Sequence, residues 1–415
     1  MEAQELAGRL YRDLAPLLDA GDEEGTVRTV ARYFMQGLEP EQLFGILARL
    51  GSRRYAYERF AENIPAGYLA LNACYTMARR LPREEGVLAL LQAAVVMAHD
   101  APAFASVEVT PFTGFPQEEL PYLGEALLRG ILTRNLDRAD GALERLLKQH
   151  GGREWAGDML LLVASFDLAA AGRKLVMATQ VLEAAARLKW ELAFGMLRPV
   201  VHCLSCCQDE KQRRRTERWV AEADVEDRTA FANARELSLR EAAELADAML
   251  RGEARRALNH ALRNGIALRS LADALVVAAC EWLSTAGDTP KLRVGLSRFV
   301  YAHAVRAALE MMNREPLWPL FAGAAYVGAG WTGESLSEPS LEMELADPDE
   351  FARWAAGQDG AALGLELHLF AHAFIREDSA LSPELKPYLF KAVQAVRRAA
   401  TESVGVRQAF NSLVR

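Results

Sequence analysis

Seven histidines and five cysteines give this 415-residue chain most of its chemical range. His368 and His372 stand four apart in ELHLFAHAFIRED, with Glu366, Glu377 and Asp378 close by. On a helix the two histidines share a face and can offer two imidazole nitrogens to a metal. The glutamate of H-E-x-x-H is missing, so a metalloprotease is not indicated. Two partly buried histidines beside Leu369 and Phe370 explain the same spacing.

Cys203 and Cys206 have C-x-x-C spacing, with His202 alongside. A closed zinc site needs four ligands, and the sequence marks no second C-x-x-C. A redox pair belongs on a βαβ pattern that this chain lacks. Both clusters are therefore read as structural, with no metal assigned. The basic run Lys211, Arg213, Arg214, Arg215 and Arg218 is interleaved with Asp209, Glu210, Glu217, Glu222 and Asp224, the pattern of a salt-paired, solvated face. No G-x-x-x-x-G-K-[ST], strand-borne G-x-G-x-x-G or G-x-S-x-G occurs, so nucleotide hydrolysis, dinucleotide binding and α/β-hydrolase chemistry have no support.

His303 stands apart from these. It lies mid-helix in the apolar stretch from Phe299 to Leu309, with Tyr301 before it and Arg306 one turn after. A histidine in a buried helix needs a partner or stays neutral. A backbone carbonyl or a tyrosine hydroxyl is the expected partner if its role is purely structural.

The elements that position these residues are helices. Val27, Val30, Ala31 and Phe34 recur at helical spacing, and Ala, Leu, Arg and Glu dominate the chain. Ser238 to Glu241 and Asp347 to Glu350 have capping-box spacing, and Ser382-Pro383-Glu384 also reads as a helix start. Ser106 to Thr110 is the one strand-like run. The expected fold class is all-α.

Three stretches repeat the same order of helix types. Gly67 to Val95, Gly172 to Val201 and Leu296 to Ala325 are each an Ala-rich helix, a polar or proline-containing break, and a second apolar helix. Gly21 to Leu50, Leu136 to Phe166 and Arg251 to Trp282 precede them in matching fashion. The expected architecture is a helical array of three four-helix units, 1–105, 106–215 and 216–335, followed by a C-terminal helical segment, 336–415. Leu69, Leu71, Val95, Leu161, Val176, Val277, Val300 and Val305 are expected in its core. The stretch from Ala101 to Pro121, with four prolines and three phenylalanines, reads as a lid, binding loop or tether.

A net charge of −8 argues against nucleic acid as the main partner. The longest uncharged apolar stretch with a core-like look, Val87 to Ala98, is about half a membrane span. The polar, acidic N-terminus reads as lacking a signal peptide, so the expected setting is cytoplasmic with no membrane span.

The segment SRFVYAHAVRAAL followed by PLWPLFAGAAYV resembles the questin-oxidase-like group of all-helical repeat proteins. It is also similar to bacterial helical domains found with Rieske-type iron–sulfur proteins. In pattern the resemblance runs from about Gly21 to Val327; in identity it covers short stretches only. It implies histidines on the inner helices of successive units, an aromatic-lined interior and Baeyer–Villiger-type oxidation of an aromatic substrate. His303 occupies the third unit's histidine position, whereas the second unit has Arg173 after Gly172 and the first has Tyr68 and Tyr75.

Two functions from different classes follow. One is a pocket for a hydrophobic small molecule, an oxidoreductase by resemblance, with His303 as general base and Tyr68, Asn72, Tyr75, Arg173, Lys174 and Tyr301 lining the substrate. The other is a non-catalytic helical scaffold that binds a protein partner. The sequence names no cofactor.

Overall fold

The computed structural model describes residues 2–53, 65–100, 112–116, 118–166, 168, 172–206, 209–223, 234–285, 289–331, 347–349 and 364–397. Among them the fold is all-α, with no strand and a single isolated bridge between Arg235 and Ile266. No described helix is long and apolar enough to cross a membrane. The strand-like run Ser106 to Thr110 lies outside the described residues.

The stretch of the first expected unit holds α1 (Glu2–Ala20), α2 (Glu23–Met35), α3 (Pro40–Gly51), α4 (Ala66–Arg80) and α5 (Arg83–Asp100). The second comprises α6 (Leu120–Leu132), α7 (Leu136–Leu147), α8 (Gly152–Ala164), α9 (Arg173–Arg187) and α10 (Ala193–Ser205). After α11 (Glu210–Ala223), the third runs through α12 (Leu239–Leu250), α13 (Ala254–Arg263), α14 (Leu268–Ser284), α15 (Thr289–Met311) and α16 (Leu317–Gly328). The helix α17 (Gly364–Ala380) and a helix over 386–397 follow.

The corners between helices recur with the order. Gly21, Arg134 and Gly252 all have positive φ at the ends of α1, α6 and α12. The next residue in each case closes the same long backbone bond: Asp22 to the carbonyl of Leu17, Asn135 to that of Gly130, and Glu253 to that of Ala248. This is the Schellman geometry, which needs a left-handed residue just past the helix end. A second left-handed corner recurs at Gly37, Gly151 and Gly265 before α3, α8 and α14. The recurrence thus extends one helix upstream of each four-helix segment seen in the sequence.

The starts follow side-chain chemistry. Asp22 and Asn135 cap α2 and α7 by accepting from Gly25 N and Arg138 N, and Ser238 forms the expected capping box with Glu241. Asp347 accepts from Asp349 N at 2.9 Å, while Glu350 lies outside the described residues. One start is displaced: residues 383–385 form a turn, and the last helix begins at 386.

The chain divides into two compact units. The first is Met1–Glu210 with Met311–Glu315 and Ala352–Gly360; the second is Lys211–Glu310 with Pro316–Phe351 and Ala361–Arg415. Within the first unit α4 packs on α3, α5 and α9. Within the second, α14 packs against α12 and α16.

Leu69, Leu71, Leu161, Val176, Val277, Val300 and Val305 are buried as expected. Val95 is only half-buried. The buried face of α5 is formed by Gly86, Ala89, Leu90, Ala93, Ala94 and Met97, and Leu88 on its other side is 46% exposed. An apolar run interrupted only by Gln92 therefore concealed a helix with one solvent-facing side. Of the proline-rich stretch, Phe112 is held by its backbone N–H on the carbonyl of Asp137 and by edge contact with Phe115.

Candidate functional site

The second unit concentrates buried ionisable groups where α14, α15 and α17 meet. His303 and Arg306 lie one turn apart on α15 and therefore face the same way. Glu377 of α17 receives both. His303 Nδ1 is 2.8 Å from Glu377 Oε1, and Arg306 Nε lies 3.1 Å from that oxygen and 2.8 Å from Oε2. Arg306 gives its Nη2 to Asp273 of α14. His303 is 3% exposed and Glu377 is fully buried.

An ionised carboxylate only accepts hydrogen bonds, so the pairing places the imidazole proton on Nδ1 and leaves Nε2 as the acceptor of the neutral ring. Nε2 itself is buried and has no hydrogen-bond partner. The ring of His372 packs edge-on to that of His303 with centroids 5.3 Å apart. Around them lies an aromatic wall: Phe299 on Phe370 at 4.8 Å, and Phe374 between Phe370 and Phe390.

This low-polarity setting governs ionisation. Burial alone would raise the Glu377 carboxyl, but the charge of Arg306, with the hydrogen bond and charge of His303, outweighs it and holds the group below its ordinary value. Asp273 moves the other way, because burial and the nearby Glu377 charge exceed the pull of Arg306. Cys280 on α14 is pushed well up by burial and then by Glu377 and Glu281, against Lys391. Glu281 pairs with Lys391 at 3.2 Å.

Tyr301, also on α15, is fully buried and meets Tyr326 edge-on at 4.9 Å. Five residues before His303, Arg298 stacks over Trp282 at 3.7 Å and donates to the carbonyls of Val327 and Ala329, closing the end of α16. Burial pulls the Arg298 pKa down to about 10.

The other sequence-nominated residues belong to the first unit. Tyr68 donates its hydroxyl to the carbonyl of Met196 at 2.8 Å. Asn72 donates to Gln180 and Glu183, both at 3.0 Å, and so clasps α4 to α9. Tyr75 stacks on Phe44 at 4.1 Å, with Arg187 over its ring. Arg173 opens α9 half-buried, and the buried Lys174 donates to the carbonyl of Cys206 at the end of α10. The structure thus joins Asn72 to α9, Tyr68 and Lys174 to α10, and His303 to α17.

The His202, Cys203 and Cys206 cluster has internal partners, and the side chain of His368 lies outside the described residues. His202 Nε2 lies 3.1 Å from both oxygens of the buried Asp140, which also receives Arg198 Nε at 2.7 Å. Cys203 is buried, and Cys206 Sγ donates to the carbonyl of His202. Among the described residues no group of three or more His, Cys, Asp or Glu is placed to hold a metal. The basic run lies on α11, where Arg215 is above the Trp219 ring and Glu222 pairs with Arg255 at 2.8 Å.

Sequence reasoning noted Glu377 only as a neighbour of His368 and His372, and it did not single out Asp273, Asp140 or Arg198. A charged residue at an otherwise apolar helical position was the available signal. Phe370, Ala373 and Phe374, seven, four and three residues before Glu377, are all buried, which marks the buried face of α17. Comparison with protein-family models, curated proteins and solved structures finds no match to this chain.

Proposed function

We propose that the chain binds a hydrophobic, aromatic small molecule and that His303 takes a proton from it. The reading rests on one observation: His303 is fixed through Nδ1 to the buried Glu377, while its buried Nε2 has no hydrogen-bond partner. A carboxylate in this position orients the ring, selects its tautomer and stabilises the imidazolium formed when Nε2 accepts a proton. Arg306, shared between Glu377 and Asp273, keeps Glu377 ionised for that task. Phe299, Phe370 and Phe374 supply an apolar wall suited to an aromatic ligand.

The resemblance of the α15 and α16 sequences to the questin-oxidase-like group suggests the substrate class: phenolic or enolic, with an acidic hydroxyl. Glu377 and Arg306 act through His303 as positioning residues. The test is a screen of phenols, enols and aromatic ketones by ligand-observed NMR, with the histidine rings labelled with 15N. Binders should shift the His303 ring signals and lose affinity in His303→Ala. Binders that leave those signals unmoved would sink the proposal.

A further inference from the structure

His303 Nε2 and, one turn on along α15, Arg306 Nη1 are both buried nitrogens without a hydrogen-bond partner. The guanidinium commits Nε to Glu377 and Nη2 to Asp273, so the edge facing the carboxylates is used and Nη1 is left over. Both residues are at most 3% exposed, which puts these nitrogens out of reach of bulk water. Orphaned buried polar atoms are uncommon and call for a partner.

The two nitrogens differ in kind. With the proton on Nδ1, Nε2 of the neutral ring accepts a hydrogen bond, whereas Nη1 can only donate one. A single ligand atom that satisfies both must donate and accept at once. A hydroxyl does so; a carboxylate, a phosphate or an ether oxygen does not. Charge points the same way. Glu377, Asp273 and Arg306 together carry one net negative charge, which disfavours adding an anion.

We infer that His303 Nε2 and Arg306 Nη1 form a recognition site for a neutral hydroxyl group, borne by an aromatic ligand or by a water molecule. This rests on the reading of His303 above and adds Arg306 as the group that holds the hydroxyl oxygen. When His303 takes the proton, the oxygen keeps the O–H electron pair and Arg306 Nη1 donates to the resulting oxyanion.

The experiment compares 4-fluorophenol, 4-fluoroanisole and 4-fluorobenzoate by 19F NMR on the full-length protein, together with water cross-relaxation to the His303 ring. Preference for the phenol over both analogues by about tenfold or more, the scale of one buried hydrogen bond, supports a ligand hydroxyl. If none of the three binds but a long-lived water is seen at His303, the hydroxyl is water: the site stands and the small-molecule reading falls. Equal binding of phenol and anisole, or tighter binding of benzoate, overturns the hydroxyl site and leaves the hydrophobic-ligand reading intact. Finding neither a bound probe nor a water overturns both. In Arg306→Lys the phenol preference should collapse, and a folded variant that keeps it removes Arg306 from the site. Should that variant not fold, the three-probe comparison on the native protein decides.

Discussion

His303 and Glu377 lie 74 positions apart in the chain, yet His303 Nδ1 and Glu377 Oε1 are 2.8 Å apart and both side chains are out of solvent. The contact ties α15 to α17, and Arg306 repeats the tie one turn later. Two cationic or proton-bearing groups on α15 thus depend on one carboxylate of α17. Replacing Glu377 by Leu leaves Arg306 and His303 without it, and removing one partner of a buried ion pair costs about 3–5 kcal/mol. Urea denaturation of Glu377→Leu should show a loss of that size, and Glu377→Gln, which keeps an acceptor oxygen, a smaller one. A loss below about 1 kcal/mol for the Leu variant would contradict the pairing.

The pH dependence follows from the direction of each shift. Glu377 is held below its ordinary value of 4.5 in the folded chain, so on acidification the unfolded chain takes up that proton first. Its stabilising contribution is complete above the unfolded value and is lost as pH falls through the lower folded one. Asp273 is raised above 3.8 and acts oppositely: the folded chain takes up that proton first, which partly offsets the loss. Denaturation midpoints measured from pH 7 to pH 3 should therefore fall less steeply in Glu377→Gln than in the native chain. They should fall more steeply in Asp273→Asn.

Thiol reactivity reports the same low-polarity interior. Burial pushes the Cys74 thiol up to about 12, and Cys280 is raised well above 9 by burial and by the charges of Glu377 and Glu281. Thiolate is the nucleophile, so neither should react with iodoacetamide at pH 8 in the folded chain. Both should react once urea unfolds it, as peptide mapping by mass spectrometry would show. Above pH 9 the unfolded thiols ionise first, so these two residues lower stability as pH rises further.

Much of this fold was legible in the sequence because helical periodicity and capping chemistry are local. The Ser238 and Glu241 capping box and the breaks within Gly67 to Val95, Gly172 to Val201 and Leu296 to Ala325 needed no tertiary knowledge. Val95 misled because an alanine-rich helix packs through its small residues, and Leu88 shows that apolar side chains can be left facing water. His303 was singled out because histidine is costly in an apolar helix, and Arg306 was noted beside it. Glu377 could not be paired with them from sequence, since a contact across 74 positions depends on how α17 returns to α15. Tyr68 and Asn72 were read as pocket residues on their polarity. Their hydroxyl and amide donate to Met196, Gln180 and Glu183, so they also serve helix packing.

The left-handed corner that recurs after α1, α6 and α12 provides a test that touches no ionisable cluster. Gly21 and Gly252 adopt positive φ, and Arg134 stands at the corresponding position with φ 58°. A side chain in the left-handed region costs about 1–2 kcal/mol relative to an ordinary conformation, a cost glycine avoids. Arg134 is exposed, so its replacement removes little packing. Part of the gain is cancelled because glycine also loosens the unfolded chain. Arg134→Gly should therefore raise stability by roughly 0.5–1 kcal/mol, whereas Gly252→Ala should lower it by about 1 kcal/mol. Calorimetry of the two variants checks both signs. Destabilisation by Arg134→Gly would mean that the strain at this corner is already relieved by contacts of the arginine stem.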